Sequence, residues 1–84
     1  MTETVHIADD DKELLEVLAR YLNDRGFAVI AAKNGVEGFK TALAKKPDIV
    51  ITDAEMPLMD GFALCRKFKE SQALTRTPVI IMSG

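Results

Sequence analysis

Acidic side chains dominate the chemistry open to this chain. Asp9, Asp10 and Asp11 stand together near the amino terminus, Asp53 follows an apolar run, and Ser83 follows another. Three carboxylates in one crevice repel one another and cannot all stay ionised and unpaired at neutral pH, so either a proton is retained or a cation is bound. With oxygen donors only, and no His or Cys at ligand spacing, the fitting cation is a hard one such as Mg²⁺, which prefers six oxygens and keeps several waters. Its open positions admit phosphate oxygens, and a carboxylate beside it can attack phosphorus to give an aspartyl phosphate. Phosphoryl transfer asks mainly for an aligned acceptor and charge neutralisation. Asp53 as acceptor, with Asp9 and Asp10 on the metal, meets that demand.

Singly, each residue has an ordinary structural use. An Asp run before a helix is a solvated cap, and an Asp or Ser at a strand end is a common turn residue. His6, the only histidine, reads as a packed or semi-exposed strand residue, and Cys65 as a small core residue. The acidic signals gain weight only if the fold brings them to one place.

The elements that would do so are legible. Thr4–Ala8 is a short apolar run stopped by the aspartates. Leu14, Leu15, Leu18, Tyr21 and Leu22 then recur at spacings of three and four, one helix face, with Gly26 as the stop. Phe27–Ala32 reads as a second strand. Asn34-Gly35 turns into a helix on which Val36, Phe39 and Leu43 share a face, and Pro47 lies beyond its end. Ile49–Thr52 is a third strand running into Asp53. Asp60 caps a third helix carrying Phe62, Leu64, Cys65 and Phe68, a polar loop leads to Pro78, and Val79–Ser83 is a fourth strand. The strands are apolar almost throughout rather than alternating, the pattern of strands buried on both faces of a parallel sheet. Strand–helix alternation of this length predicts right-handed crossovers and an α/β class. Ligand sites in such sheets lie beyond the carboxyl ends of the strands, which is where Asp9, Asp10, Asp53 and Ser83 all fall.

Composition narrows the function. Eighty-four residues allow one domain. Eleven basic against 13 acidic residues give a net charge of -2 without a basic stripe, which argues against nucleic acid as a direct partner. The apolar runs are too short to span a bilayer, and the amino terminus lacks a signal-peptide pattern. One cysteine precludes an internal disulfide and suits a reducing, cytoplasmic setting.

The segment Asp53-Ala54-Glu55-Met56-Pro57-Leu58-Met59-Asp60-Gly61 resembles the phospho-acceptor stretch of response-regulator receiver domains: an Asp, two residues, Met-Pro, one residue, Met-Asp-Gly. The acidic pair after the first strand, the Gly26 turn and Lys46-Pro47-Asp48 fit the same family. The resemblance implies a flavodoxin-like, doubly wound parallel sheet. It covers residues 1–84 as a receiver domain that is incomplete at its carboxyl end, with four strands in order 2-1-3-4 and three helices. It implies that Asp53 accepts a phosphoryl group from a sensor histidine kinase or phosphotransfer protein. By the same resemblance Asp10 holds Mg²⁺ directly, Asp9 holds it through water, and the Glu55 backbone carbonyl is a further ligand. Pro57 and Gly61 would shape the loop, Ser83 would hydrogen-bond the phosphoryl oxygens, and Gly84 would take the small position after it.

Receivers continue with a fourth helix, a fifth strand ending in a lysine, and a fifth helix. Without that lysine the expectation is slow phosphorylation or weak switching. With strand four as an edge, the apolar Val79–Met82 segment predicts a homodimer, a segment swap, or membership of a longer protein. Other classes compete. A receiver-like interaction module would keep the fold with a vestigial pocket. An aspartyl-nucleophile phosphatase would want an Asp where Glu55 stands, and a flavin-binding relative would meet three repelling aspartates where it needs a phosphate-cradling loop.

Overall fold

Three helices begin where a side chain can replace the missing partner of a first-turn amide. The computed structural model describes residues 2–83. Strand β1 (Thr4–Ala8) leads to helix α1 (Lys12–Asp24), whose N-cap Asp11 accepts from the Leu14 N–H. Strand β2 (Ala28–Ala32) leads to α2 (Gly35–Lys45), capped by Asn34 on the Glu37 N–H at 2.8 Å. Strand β3 (Ile49–Asp53) leads to α3 (Gly61–Glu70), capped by Asp60 on the Ala63 N–H at 2.8 Å. The last element is β4 (Val79–Met82). Each such cap is worth about 1 kcal/mol. Gly26, at φ +93°, makes the left-handed turn out of α1.

The four strands form one parallel sheet in the order β2-β1-β3-β4, the flavodoxin-like arrangement. Two cores lie on opposite faces. Under α1, Val5, Ile7 and Leu15 pack with Leu18, Leu22, Phe27 and Ile51. Under α2 and α3, Ala8, Ala32, Ala42, Val50, Leu64, Phe68 and Leu74 form the larger cluster, with Phe39 tilted against Phe68 at 6.0 Å.

Several expectations are corrected in detail. Only the inner strands β1 and β3 approach burial on both faces; β2 and β4 are largely half-exposed, as outer strands of a four-stranded sheet must be. The α1 face is narrower than its spacing suggests, with Tyr21 and Leu14 at its margins and exposed. Cys65 is half-buried rather than core. The loop before β4 is not simply polar, because Leu74 is fully buried and anchors it. His6 takes the packed alternative and is fully buried. Gly84 lies outside the described residues.

Candidate functional site

The carboxyl ends of β1 and β3 place three acids side by side. One carboxylate oxygen from each of Asp9, Asp10 and Asp53 lies within 4.8 Å of the others. Asp9 is pinned: its N–H bonds the Ala32 carbonyl at 3.0 Å, continuing the β1–β2 ladder, and its Oδ1 accepts from the Asp11 N–H at 2.9 Å. At 4% exposure it is the buried member, and burial pushes its carboxyl above the usual range. The Asp11 N–H opposes that rise, while the charges of Asp53, Asp10 and Asp11 add to it. Asp10 is exposed and Asp53 half-buried.

The loop after β3 completes the wall. The Glu55 N–H points to Asp53 Oδ1 at 3.4 Å, and the Gly61 N–H bonds the Ala54 carbonyl at 3.0 Å. Gly61 is required by close approach: a side chain there would overlap the Asp53 carbonyl oxygen and lie 3.1 Å from the Ala54 Cα. Asp10, Asp53, Glu55, Met56, Pro57 and Ser83 line an open crevice of about 790 Å³. Ser83, just beyond β4, is exposed and lines this crevice and a second hollow containing Asp9 and Leu14. All the side chains anticipated at the site therefore meet at one edge. Among the described residues lining these two hollows none is a lysine.

Two features of this edge go beyond what the sequence reading anticipates. Thr52, fully buried, donates its hydroxyl to the Asp53 carbonyl at 3.1 Å, securing the backbone under the acid. Leu58 sits at φ +71° with its side chain 81% exposed. A hydroxyl in the Ile-Val-Ile-Thr run was the one visible hint of the first; the second depends on the loop's path.

The donor set suits a hard divalent cation. Direct ligands of one Mg²⁺ at about 2.1 Å lie roughly 3.0 to 4.2 Å apart in an octahedron. A set spread over as much as 4.8 Å fits such an ion with one carboxylate reached through water. An acid whose proton affinity is raised first by burial and further by neighbouring carboxylates is the electrostatic condition a cation relieves. No helix among the described residues is long and apolar enough to cross a membrane.

Comparison with known proteins agrees. Residues 5–84 match the family model for the response regulator receiver domain. The chain is 35% identical over 84 residues to a probable transcriptional regulator, ycf29, of Pyropia yezoensis, and 37% identical over 80 residues to the DNA-binding transcriptional regulator NtrC of Escherichia coli K12. It covers all of itself and 38% of the first, and 95% of itself and 17% of the second, so it spans well under half of these relatives. Among solved structures, it matches the chemotaxis response regulator CheY4 of Vibrio cholerae with a TM-score of 0.92 at 26% identity, over 96% of this chain and 68% of that one. It matches the signal receiver domain of a histidine kinase from Syntrophus aciditrophicus with a TM-score of 0.90 at 33% identity, over 96% of this chain and 61% of that one.

Proposed function

The chain belongs to the response regulator receiver domain family, and from that premise we propose that it is the phospho-acceptor of a two-component relay, with Asp53 as the accepting residue. The observation that carries this is the meeting of Asp9, Asp10 and Asp53 oxygens at the mouth of an open crevice. An Asp53 oxygen attacks the phosphorus of a phosphohistidine on a sensor kinase or phosphotransfer protein. The P–N bond breaks, the imidazole leaves with its electron pair and takes up a proton, and an aspartyl phosphate remains. Asp10 and Asp53 would hold Mg²⁺ directly, Asp9 through water, and the Glu55 carbonyl would complete the protein's share. When bound, the ion supplies positive charge to the phosphoryl oxygens. Pro57 and Gly61 shape the loop, and Ser83 would donate its hydroxyl to the new phosphoryl group. The chain itself gains a modification rather than turning over a substrate, and the cytoplasm suits such a relay.

Charge sets the expected rate. Three carboxylates and one divalent cation leave about one net negative charge before the phosphoryl group brings about two more. With no lysine among the described residues lining the crevice, a charge-assisted contact worth about 1.5–3 kcal/mol is missing, so phosphorylation of the 84-residue polypeptide should be slow. The test uses phosphoramidate, whose P–N bond imitates phosphohistidine. With Mg²⁺ the chain should acquire one hydroxylamine-labile phosphoryl group on Asp53 over hours, and Asp53→Asn should acquire none. Modification that ignores Mg²⁺, or none on Asp53, would overturn the assignment; rapid stoichiometric modification would overturn the argument about rate.

A second reading rests on exposed apolar surface. Ile80 on β4 is 49% exposed, and the outer edge of β4 has no neighbour among the described strands. Association of two copies along Val79–Met82 would cover it. Sedimentation of the 84-residue polypeptide at rising concentration decides: a monomer throughout excludes this mode.

A further inference from the structure

The loop from Asp53 to Asp60 is held in a shape its own residues do not favour. The Met59 N–H bonds the Pro57 carbonyl at 2.8 Å, closing a three-residue γ-turn around Leu58 at φ +71°. A γ-turn with its central residue at positive φ is rare and strained. Packing of Leu58 returns little, because its side chain points largely into solvent. The restraint must come from the flanks.

One flank is the contact of Gly61 with the Asp53 carbonyl. The other is a seat on α2. A side chain at Gly35 would overlap the Met59 carbonyl oxygen and approach the Met59 Cβ to 2.6 Å and its carbonyl carbon to 2.8 Å. Gly35 does not occupy the left-handed region, so its missing side chain serves this contact rather than a turn. It stands at the first position of α2, directly after the Asn34 cap. The seat is firm: Asn34 caps the Glu37 N–H, and Glu37 Oε1 reaches back to the Lys33 N–H at 3.2 Å. Met59 itself packs against the larger core.

We propose that Gly35 is a positioning residue for the Asp53 site: by letting the Met59 backbone rest on the first turn of α2, it holds the strained turn closed and so places the Glu55 end of the loop beside Asp53. This rests on the phospho-acceptor reading for the purpose of the placement, and on the contact alone for its mechanism. Gly38, one turn along the same helix, is the matched control. A side chain there would meet Leu64 at 3.5 Å and His6 at 3.6 Å, ordinary contact distances.

The experiment compares Gly35→Ala and Gly38→Ala versions of the 84-residue polypeptide by backbone amide NMR without metal, then by titration with Mg²⁺ alone. Both substitutions raise helix propensity. Gly35→Ala should shift the amides of Ala54, Glu55, Met59 and Asp60 and weaken Mg²⁺ binding about tenfold, the scale typical of groups that orient metal ligands. Gly38→Ala should leave the Mg²⁺ affinity and the Glu55 amide as they are. A folded Gly35→Ala chain with the parent affinity and an unmoved Glu55 amide overturns the proposal, as does an equal effect from Gly38→Ala. Should Gly35→Ala not fold, Asn34→Ala loosens the same seat without adding atoms. It should move the same loop amides, and unmoved amides there overturn the proposal. A parent chain that binds no Mg²⁺ sinks the phospho-acceptor reading instead, and the metal-free shifts then decide the positioning role by themselves.

Discussion

Replacing His6 by leucine should abolish most of the acid sensitivity of this fold between about pH 7.5 and about pH 5.5. His6 is fully buried on the α2 side of β1, with its Nε2 2.9 Å from Thr41 Oγ1. The Thr41 hydroxyl donates to the Glu37 carbonyl at 2.9 Å, so it accepts from histidine, which assigns the neutral Nε2–H tautomer. Nδ1 is then a buried acceptor with no hydrogen-bond partner among the described residues. Burial lowers the pKa of this imidazole below 6.5, and the backbone groups of Gly38 and His6, with the nearby Glu37 charge, offset this only in part. The sign follows from proton counts. Below 6.5 the unfolded chain binds a proton that the folded chain resists, so stability is complete above that value and declines as the pH falls through it. One unit below, the loss is RT ln 11, about 1.4 kcal/mol, if the folded histidine stays neutral. At neutral pH the substitution removes a hydrogen bond worth about 1 kcal/mol and relieves an unpaired acceptor costing about 1–3 kcal/mol. His6→Leu should therefore be as stable as the parent or more so. Urea unfolding of both chains at the two pH values measures the difference, since the carboxylates are common to both. Equal acid sensitivity, or a folded-state imidazole titrating at or above 6.5 by NMR, would refute the reasoning.

Asp9→Asn should stabilise the metal-free chain by about 1 kcal/mol, the repulsion of unit charges near 4 Å in water, and should abolish the rise in Tm expected of the parent with Mg²⁺; thermal melts with and without Mg²⁺ read both. Leu58→Gly should raise stability by about 1 kcal/mol, because glycine takes positive φ without the steric cost a leucine bears, and urea unfolding checks it. Phe68→Ala removes a fully buried ring from the larger core and should cost about 3–5 kcal/mol, enough to leave a chain of this size largely unfolded by circular dichroism.

The acidic edge was legible because it follows from strand direction. Apolar runs alternating with helical periods imply parallel strands, and parallel strands put Asp9, Asp53 and Ser83 at one end whatever the details. Caps were legible for a similar reason: Asp11 and Asp60 act within three residues of themselves, whereas Asn34 reads as a turn residue and the structure adds its cap on Glu37. What escaped depends on contacts between distant segments. Leu74 has no periodic companions in its polar loop, yet it fills the space beside Phe68. Tyr21 shares the α1 spacing but falls at the margin of the arc that meets the sheet. The seat of Met59 on Gly35 joins residues 24 apart, and nothing in either neighbourhood announces it.

The uniform direction of the strands also gives the molecule a quiet pole. At the opposite rim the turns are made by Gly26, by Lys46 in the left-handed region, and by Asp48, whose carboxylate merely receives the Thr4 N–H at 2.7 Å. A five-residue strand is about 16 Å long, so lengthened turns, fused domains or tags attached at that rim would stand a full strand away from the carboxylates. One end of the protein is thus free to vary in evolution or engineering while the other is held to its chemistry.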